Sequence, residues 1–417
     1  MSGSTDQFSA FKHKSYQRYF ASRFLTAFSI QLLSTAVGFH IYALTKDPIW
    51  LGWIGLVQFL PGLILVVFTG MAADRFSRRK VMASSIILLG LCAGVISFMG
   101  LTGRFVPLWV MVVLTFVGIG RAFHSPASSS LAVNLVPKED FANAIGWITS
   151  SWQLAIIVGP AMGGVLFHYF GSGTYVVGTL ALVLSAGLIL SIPKPRQIIK
   201  KERTSLRTLL GGFEYIWKTK IVFGAITLDL FAILLGGAVA LMPVYAEDIL
   251  NIGSTGNGLL RAAPGIGAII MLIFLTRFPV RDHAGKILLV SVALFGAATV
   301  VFGASKLAWL SILALMLVGA FDMISVYIRE ILLQLWTPDE VRGRVNAVNS
   351  IFLGASNELG EARAGFMAAI WGSVFTVVAG GIAAIGIVGL VSVIFPSLKK
   401  IRKLDVPEHL KESEGAS

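Results

Sequence analysis

Long apolar stretches recur along nearly the whole chain, and they limit the folds that it can adopt. Each runs for about 20 residues, which as a helix is long enough to cross the ~30 Å hydrocarbon core of a bilayer. Hydrophobic residues make up 56% of the sequence and charged residues only 13%, whereas about a quarter of an ordinary soluble domain is charged. The sequence therefore predicts an all-α integral membrane protein with many spans.

Twelve spans can be counted, six on each side of one long loop. We predict them near residues 19–44, 48–73, 80–102, 106–133, 141–168, 173–192, 221–247, 256–278, 285–305, 307–335, 343–370 and 373–396. Basic residues fall mainly in alternate loops, and the positive-inside rule then predicts that both termini are cytoplasmic. The net charge of +13 is explained by this orientation, so we expect no nucleic-acid partner.

The longest loop sets the expected domain boundaries. It covers residues 193–220 and separates an N-terminal half, 1–192, from a C-terminal half, 221–396, with a cytoplasmic tail at 397–417. Apolar residues at helical spacing between Leu206 and Ile216 favour a short amphipathic helix on the cytoplasmic membrane face. A solvated linker is the alternative.

Short motifs repeat between the two halves at one constant separation. VGIGRAF at Val117 matches VGAFDMI at Val318, and GPAMGG at Gly159 matches GEARAG at Gly360. These pairs, and the pair VPKED and TPDEV, are all 201 residues apart. The constant separation indicates two six-helix halves related by a pseudo-two-fold axis along the membrane normal, an arrangement in which the substrate site lies between the halves.

Several motifs resemble those of a known family. GMAADRFSRRK resembles the loop motif G-x-x-x-D-R-x-G-R-R-[RK] of the major facilitator superfamily, with Ser77 at the position of its internal glycine. GPAMGG resembles the end of the antiporter-associated motif of span 5, with Ala155 at the position of its leading glycine. PVYAEDIL, LLRAAPGIGA and LLQLWTPDEVRGRVNAVN resemble the branch of bacterial drug and siderophore exporters that includes the enterobactin exporter.

The resemblance implies the major facilitator fold, a bacterial inner membrane and a cytoplasmic gate at the end of span 2. Asp74 would face the start of span 11, where a carboxylate complements the partial positive charge of a helix N-terminus. The other gate candidates are Gly70, Arg75, Arg78 and Arg79. The alternative for Arg78 and Arg79 is that they are orientation signals only.

Ionisable residues inside the spans are functional candidates, because each costs several kcal/mol to insert. Arg121 and Asp322 are related by the repeat, and helix rise puts both ~20–23 Å from the outer face. We expect them to line a cavity, with His124 on the same helix face as Arg121. Alternatively, each is satisfied within its own half.

Embedded carboxylates are the candidates for coupling transport to a proton gradient. Span 1 has none, and its polar candidates are Gln31 and His40, of which His40 either titrates near physiological pH or is neutral and hydrogen-bonded. Asp229 is the acid in the membrane part of span 7, ~12 Å from the cytoplasmic end. The proton-coupling candidates are Asp229, Asp322, Glu358 and Glu361, with Asp229 and Glu361 as the first choices.

The stretch SNELGEARAG places charges in the middle of span 11. Glu358 and Glu361 lie about 60° apart on a helix and share a face, and Asn357 is one turn from Glu361. We expect this face to line a cavity, where water or Arg329 neutralises the glutamates; structural ion pairing between helices is the alternative. Arg363 points away from both glutamates and must reach another helix or the outer interface.

The sequence has no nucleotide-binding loop and no convincing metal cluster or Ser-His-Asp arrangement. We therefore expect neither an enzyme nor a cofactor, and an ion gradient as the energy source. The leading hypothesis is a monomeric secondary transporter, surrounded by membrane lipids, that exports an amphipathic siderophore or drug-like small molecule by proton antiport. The alternatives are a lipid or lysophospholipid transporter of the same fold and a non-transporting membrane receptor or assembly factor.

Overall fold

The computed structural model describes residues 7–132, 134–193 and 206–405. Its helices are α1 (Lys14–Thr45), α2 (Ile49–Arg75), α3 (Arg78–Leu101), α4 (Pro107–Ala132), α5 (Phe141–Phe170), α6 (Gly173–Leu190), α7 (Leu206–Lys218), α8 (Lys220–Gly236), α9 (Met242–Val244), α10 (Gly253–Arg277), α11 (Ala284–Ala304), α12 (Ala308–Leu335), α13 (Asp339–Trp371), α14 (Ser373–Ile394) and α15 (Pro396–Lys399). Eleven of the described segments are long and apolar enough to cross a membrane. The 33 residues of α13 are long enough for a twelfth crossing, and its charged side chains account for its lower hydrophobicity. The prediction of an all-α, twelve-helix, multi-pass membrane protein is confirmed.

Span 7 differs from the single helix that the sequence predicts near 221–247. Helix α8 ends at Gly236, and the chain continues through a 3₁₀ turn, α9 and a π-helical turn that ends at Ile249. Gly236 and Gly237 are poor helix formers, and the ring of Pro243 carries no N–H for the helical ladder. The apolar composition continues across this break, so hydropathy alone does not show it.

Packing contacts divide the chain into two compact units, which we describe separately. The first unit consists of Met1–Thr45, Leu56–Thr204 and Ile252–Ala262. In this unit α1 packs against α5 and α6, and α3 packs against α4 and α6. The hydroxyl of Ser185 on α6 lies 2.7 Å from the hydroxyls of both Ser22 and Thr26 on α1. These hydrogen bonds satisfy polar groups that lie buried inside the unit.

Three arginines of the first unit bond to the carbonyl ends of helices. Arg78 Nη1 donates to the Ser130 carbonyl of α4 at 3.0 Å. Just beyond α6, Arg18 Nη1 donates to the Ser191 carbonyl at 2.5 Å, and Arg79 Nη1 donates to the carbonyl of Ile192. The last carbonyls of a helix lack backbone partners and carry partial negative charge, so these cations stabilise the ends of α4 and α6.

The second unit consists of Lys46–Gly55, Ser205–Asn251 and Ala263–Ser417. In this unit α11 packs against α12 and α14, α8 packs against α14, and α7 and α8 pack against α13. Its apolar core includes Leu228, Leu288, Ile328 and Leu332, all of them buried. The core therefore joins α11 to α8 and α12. The last two helices carry the charged residues Asp229, Asp322 and Arg329 that are described below.

The predicted linker, 193–220, contains helix α7. Tyr215 Oη donates to the Trp336 carbonyl at 2.5 Å, and the backbone at Gly212 lies against Arg344 of α13. On its other side Trp217 is exposed. Helix α7 therefore packs on the second unit while it keeps an exposed aromatic side chain; residues 194–205 of the linker and 406–417 of the tail lie outside the described residues.

The two units differ from the predicted halves at two helix starts. Residues Lys46–Gly55 belong to the second unit, and Ile252–Ala262 belong to the first. Gly52 lies against Gly365 of α13, and Gly258 lies against Gly164 of α5, with no room for a Cβ atom at either contact. Because glycine lets two helix backbones approach closely, these contacts attach each helix start to its unit.

Candidate functional site

The fourth span of each half presents three polar residues at the same spacing. They are Arg121, His124 and Ser128 on α4, and Asp322, Ser325 and Arg329 on α12. At 100° per residue, each set lies within an arc of about 60° and extends over about 10 Å of helix. The sets are 201 residues apart, so they occupy equivalent positions of the repeat.

The first span of each half supplies a residue that contacts the last of these three positions. Arg23 is the tenth residue of α1, and Asp229 is the tenth residue of α8. Arg23 Nη1 donates to Ser128 Oγ at 2.8 Å, whereas Asp229 forms an ion pair with Arg329. The repeat therefore builds the same contact twice, once between a cation and a hydroxyl and once between opposite charges.

We call Arg23, Arg121 and His124 the basic cluster of the first unit. Arg23 Nη1 also lies 3.2 Å from Tyr19 Oη, and Arg121 Nη1 donates to Gln58 Oε1 of α2 at 3.1 Å. His124 lies one turn before Ser128 on the same face of α4, so it is close to the contact that Arg23 makes with Ser128. Arg23 Nε and His124 Nε2 are buried without a hydrogen-bond partner among the described residues.

The helices α1 to α6 contain almost no acidic side chains. The sequences of α1, α3, α4, α5 and α6 contain no Asp or Glu, and α2 contains only Asp74 in its last turn. The acceptors named above are a hydroxyl, a phenol and an amide, all of them neutral. These neutral groups solvate the cations, and Arg121 has a further interaction of its own.

Two other predicted cavity residues of α1 lie further along the helix. Gln31 is eight residues beyond Arg23, about 12 Å of helix rise, at the place where α5 approaches α1 through Gly159. His40 Nδ1 forms a hydrogen bond of 2.8 Å with Tyr175 Oη. Its ring also stacks on an aromatic ring, Phe105, with centroids 4.0 Å apart. Of the two sequence alternatives for His40, the structure shows the hydrogen-bonded one.

The sequence analysis missed two cations of the first unit, Arg23 and Arg261. Arg261 Nη2 on α10 donates to Ser34 Oγ at 3.3 Å, and Asn257 Nδ2 donates to the Thr35 carbonyl at 3.4 Å. A charge inside an apolar span is the signal that would have identified both arginines.

In the second unit, the Asp229–Arg329 ion pair is almost completely buried. The Asp229 side chain is 6% exposed and that of Arg329 is 2% exposed. A single buried charge is costly, and each partner offsets that cost for the other. The expectation that Arg329 neutralises Glu358 or Glu361 is therefore corrected, because the partner of Arg329 is Asp229 on α8.

Asp322 lies beside Asp229 in a small cavity. The cavity is lined by Asp229, Ala232, Ile233, Val292, Phe295, Asp322 and Ser325. Asp322 has no hydrogen-bond or ion-pair partner among the residues that the structure describes. Over the same residues, no group of three or more His, Cys, Asp or Glu side chains is arranged to hold a metal ion.

The face that Glu358 and Glu361 share lies against the start of α2. A Cβ atom at Gly55 would be 3.0 Å from the Glu358 carbonyl oxygen and 3.3 Å from Glu361 Cβ. Both glutamates are half-buried and have interactions of their own. Asn357 Nδ2 donates to the Leu353 carbonyl of its own helix at 2.8 Å.

Arg363 reaches another helix, which is one of the two sequence alternatives. Its Nη1 lies 3.5 Å from Met367 Sδ, and a Cβ atom at Gly380 of α14 would be 3.4 Å from Nη2. Arg363 Nε is buried without a hydrogen-bond partner among the described residues. The guanidinium is therefore placed between α13 and α14, away from the face that carries the two glutamates.

The predicted cytoplasmic gate is described only in part. Asp74 belongs to the last turn of α2, but its side chain lies outside the described part of the structure. Arg75 is exposed, and a Cβ atom at Gly70 would meet no atom within 4 Å. The gate stays a prediction, whereas Arg78 and Arg79 form the helix-end hydrogen bonds given above.

Further ion pairs lie at or beyond the ends of the spans. In the second unit, Lys46 Nζ is 3.1 Å from both Glu247 Oε1 and Asp248 Oδ1. Desolvation opposes a rise in the pKa of Lys46, yet the hydrogen bonds to Asp248 and Glu247 raise it. In the first unit, His13 Nε2 is 2.9 Å from Asp140 Oδ2, and this hydrogen bond lowers the pKa of Asp140.

A family model described as Major Facilitator Superfamily matches residues 19–326. The enterobactin exporter EntS of Escherichia coli O157:H7 is 24% identical over 421 residues, which cover 97% of this chain and 96% of the relative. The enterobactin exporter EntS of Citrobacter koseri is 26% identical over 411 residues, which cover 94% of each chain.

Solved structures show the same fold. A bacterial homolog of the human lysosomal transporter Spinster, in an inward-facing and unoccupied conformation, has a TM-score of 0.72 and 16% identity over 95% of this chain and 99% of that chain. An inward-facing bacterial homologue of the iron transporter ferroportin has a TM-score of 0.70 and 15% identity, and the match covers 93% of this chain and 99% of that chain. These likenesses agree with the twelve-helix architecture described above.

Proposed function

Because the chain belongs to the Major Facilitator Superfamily, we propose that it is a secondary active transporter that exports an amphipathic small molecule by alternating access, driven by proton antiport. We place it in the inner membrane of a bacterium, with both termini in the cytoplasm. The relatives that are named as exporters support the direction of transport. The alternation of basic loops supports the orientation.

The observation that carries the coupling proposal is the environment of Asp322. Its carboxyl group lies inside a membrane helix, in a small cavity, with no partner among the described residues. An ionised Asp at the centre of a membrane helix costs about 2.5–3.5 kcal/mol on insertion scales. Protonation at a carboxylate oxygen of Asp322 removes that charge and therefore much of the cost.

Asp322 is a better proton site than Asp229, one of the first choices of the sequence analysis. Protonating Asp229 would leave Arg329 charged, buried and unpaired, which is the costly way to break a buried ion pair. Glu361, the other first choice, packs beside Gly55 and has an interaction of its own. The charge of Asp322 can change without leaving an opposite charge unpaired.

Proton binding drives a conformational change only if the two conformations differ in proton affinity. We infer that water reaches the Asp322 cavity to a different extent in the two conformations. The ionised form then favours the conformation in which the cavity is better hydrated, and the protonated form favours the drier one. Substrate movement is coupled to the proton gradient through this preference.

The test measures transport by Asp322→Asn in proteoliposomes over a panel of siderophores, drug-like amphipaths and lysolipids. With an imposed pH difference, the wild-type protein should concentrate at least one compound, whereas Asp322→Asn should exchange it without concentrating it. Glu214→Gln is the matched control, because Glu214 is an exposed carboxylate that bonds to Lys218 on α7. This control should behave like the wild-type protein.

Each other outcome has a definite meaning. Concentrative transport by Asp322→Asn would contradict the assignment of the proton site to Asp322. Transport of lysolipids alone would favour the lipid-transporter alternative. Absence of flux for every class, with correctly folded protein, would contradict the export proposal and favour a non-transporting role.

A further inference from the structure

We propose that helix α7, together with the start of α8 and the end of α14, forms a binding surface for the headgroups of anionic phospholipids. All of these segments belong to the second unit. The surface combines exposed aromatic rings with lysines that have no acidic partner among the described residues. Its role goes beyond the proposed transport function, because lipid binding does not depend on which molecule is transported.

One face of α7 is fixed on the helices around it. Ile216 is 1% exposed and belongs to an apolar core cluster with residues of α8, α12 and α13. Gly212, one turn earlier, lies against the backbone of Arg344. At 100° per residue, Phe213 and Trp217 lie on a neighbouring face of α7, and this face is left exposed.

The exposed face carries a continuous row of aromatic rings. Phe213 is 42% exposed and Trp217 is 62% exposed. The ring centroid of Trp217 is 6.2 Å from that of Phe213 and 4.8 Å from that of Phe223 on α8. Phe223 in turn packs edge to face on Phe395, which follows α14, with centroids 5.6 Å apart. We call these four residues the aromatic band.

The contact with Phe223 sets the depth of Trp217. Phe223 lies in the first turn of α8, at the start of the segment Lys220–Ile249 that is long and apolar enough to cross a membrane. Trp217 is therefore level with the boundary between hydrocarbon and headgroups, where tryptophan is enriched because its ring is apolar and its N–H is polar. The headgroup region of a bilayer fits this place better than a soluble protein does.

Lysines adjoin the aromatic band at two places. Lys220 is the first residue of α8, and Lys399 and Lys400 follow Phe395 by four and five residues. Helix α15 packs against α8, so the two groups of lysines lie at the same end of the unit. All three are exposed, with no hydrogen bond or ion pair to another described residue. Their long side chains can extend along the apolar surface and place the ammonium groups among phosphate oxygens.

Nearby acids do not cancel this charge. Glu214 Oε1 lies 2.6 Å from Lys218 Nζ, so these two residues form a neutral pair. Beyond α15, Arg402 and Lys403 outnumber the acid of the described segment, Asp405. The band therefore lies beside positive charge that the protein does not neutralise. Such charge favours lipids with a net negative headgroup over zwitterionic lipids, which carry a cation of their own.

The experiment measures which lipid contacts Trp217 in the full chain, reconstituted into bilayers of phosphatidylcholine and phosphatidylglycerol. Bromine, which quenches tryptophan fluorescence on contact, is placed either on phosphatidylglycerol or on an equal number of phosphatidylcholine molecules. The two bilayers then have the same charge, and the signal of Trp217 is the difference between the wild-type protein and Trp217→Phe. One lysine near an anionic lipid surface contributes about a fivefold preference, so phosphatidylglycerol should occupy the positions beside Trp217 at least about fivefold more often.

Two triple variants lower the net charge by the same amount. The test variant replaces the three lysines beside the aromatic band: Lys220→Gln, Lys399→Gln and Lys400→Gln. The control variant replaces three exposed basic residues at and between the facing ends of α10 and α11: Arg277→Gln, Arg281→Gln and Lys286→Gln. The preference for phosphatidylglycerol should fall close to one in the test variant and should be kept in the control variant. Because all six side chains are exposed, both variants should fold, and size-exclusion profiles check this.

Equal quenching of Trp217 by the two brominated lipids would overturn the proposal, because the aromatic band would then contact the bilayer without distinguishing headgroups. Absence of quenching by either lipid would also overturn it, by showing that water or another copy of the chain covers α7. An unchanged preference in the test variant, or an equal loss in both triple variants, would show that these three lysines do not select the lipid. The readout involves no transport, so none of these outcomes depends on the proposed export function.

Discussion

The two halves of the molecule build the same contact from different charges. Asp229 and Arg329 neutralise each other in the second half, while Arg23 in the first half bonds to Ser128 and Tyr19. A pseudo-symmetric repeat can therefore keep the position of a contact while its chemistry diverges. The buried ion pair depends on both of its partners, whereas neutral acceptors leave no opposite charge behind when a cation is removed.

The largest expected effect comes from Arg329→Met, which leaves Asp229 buried without its counter-charge. Breaking a buried pair by removing one partner costs about 3–5 kcal/mol, so the denaturation midpoint in detergent should fall sharply. Arg23→Met is the matched variant of the first half. It should cost less, because the acceptors of Arg23, Ser128 and Tyr19, are neutral hydroxyl groups.

A second substitution sharpens this contrast. Asp229→Asn, added to Arg329→Met, removes the unpaired charge and should recover a large part of the lost stability. Equal losses of stability for Arg329→Met and Arg23→Met, or no recovery in the double variant, would contradict the predicted difference between the buried ion pair and the cation with neutral acceptors.

Much of the fold can be predicted from the sequence, because the length of each span and the separation of the repeats are read directly from residue positions. The separation of 201 residues is enough by itself to identify Arg121 and Asp322 as equivalent positions. The Asp229–Arg329 pair could not be predicted in this way. It joins two residues that are 100 positions apart in the chain, and the contact depends on how α8 and α12 are rotated against each other.

Arg23 was missed for a different physical reason. It lies at the fifth position of the predicted span 19–44, close to the basic residues near the N-terminus. Helix α1 begins at Lys14, five residues before the predicted span, so Arg23 lies deeper in the helix than the predicted boundary indicates. The error in a helix boundary thus hides how far a charge lies from the end of its span.

The glycine contacts are the feature in which the two units agree, and they should respond alike to substitution. Gly365→Leu would place side-chain atoms on the backbone at Gly52, and Gly164→Leu would do the same at Gly258. Overpacking of this kind costs about 1–3 kcal/mol, so both variants should lower the melting temperature.

The matched controls are Gly354→Leu on α13 and Gly146→Leu on α5, where a Cβ atom would meet nothing within 4 Å. These should be neutral or slightly stabilising, because leucine favours a helix by up to ~1 kcal/mol over glycine. A large loss in one unit and none in the other would mean that the similarity of the two glycine contacts does not extend to their energetics.

The smallest expected effect concerns the half-buried pair of His13 and Asp140, and it contrasts with the fully buried pair of the second unit. The hydrogen bond from His13 lowers the pKa of Asp140 in the folded protein, so the ionised carboxylate is favoured there. The stabilisation is therefore fully present above the ordinary pKa of Asp and is lost as the pH falls through the lowered value. Because the His13–Asp140 pair is partly accessible to solvent, salt should also weaken it, whereas the Asp229–Arg329 pair should be much less sensitive.

Hydrogen exchange of the segment 7–13 measures this effect, because Asn143 on α5 holds the segment by accepting from the Ala10 amide and donating to the Gln7 carbonyl. Exchange in the wild-type protein, corrected for the intrinsic pH dependence of amide exchange, should rise at acidic pH and at high salt. Asp140→Asn should raise the exchange already at neutral pH and remove most of its dependence on acid.

Glu139→Gln, which removes the adjacent carboxylate, is the control and should behave like the wild-type protein. If Glu139→Gln and Asp140→Asn raise the exchange of this segment equally, the cause is the general loss of negative charge near α5. The specific His13–Asp140 hydrogen bond is then not responsible.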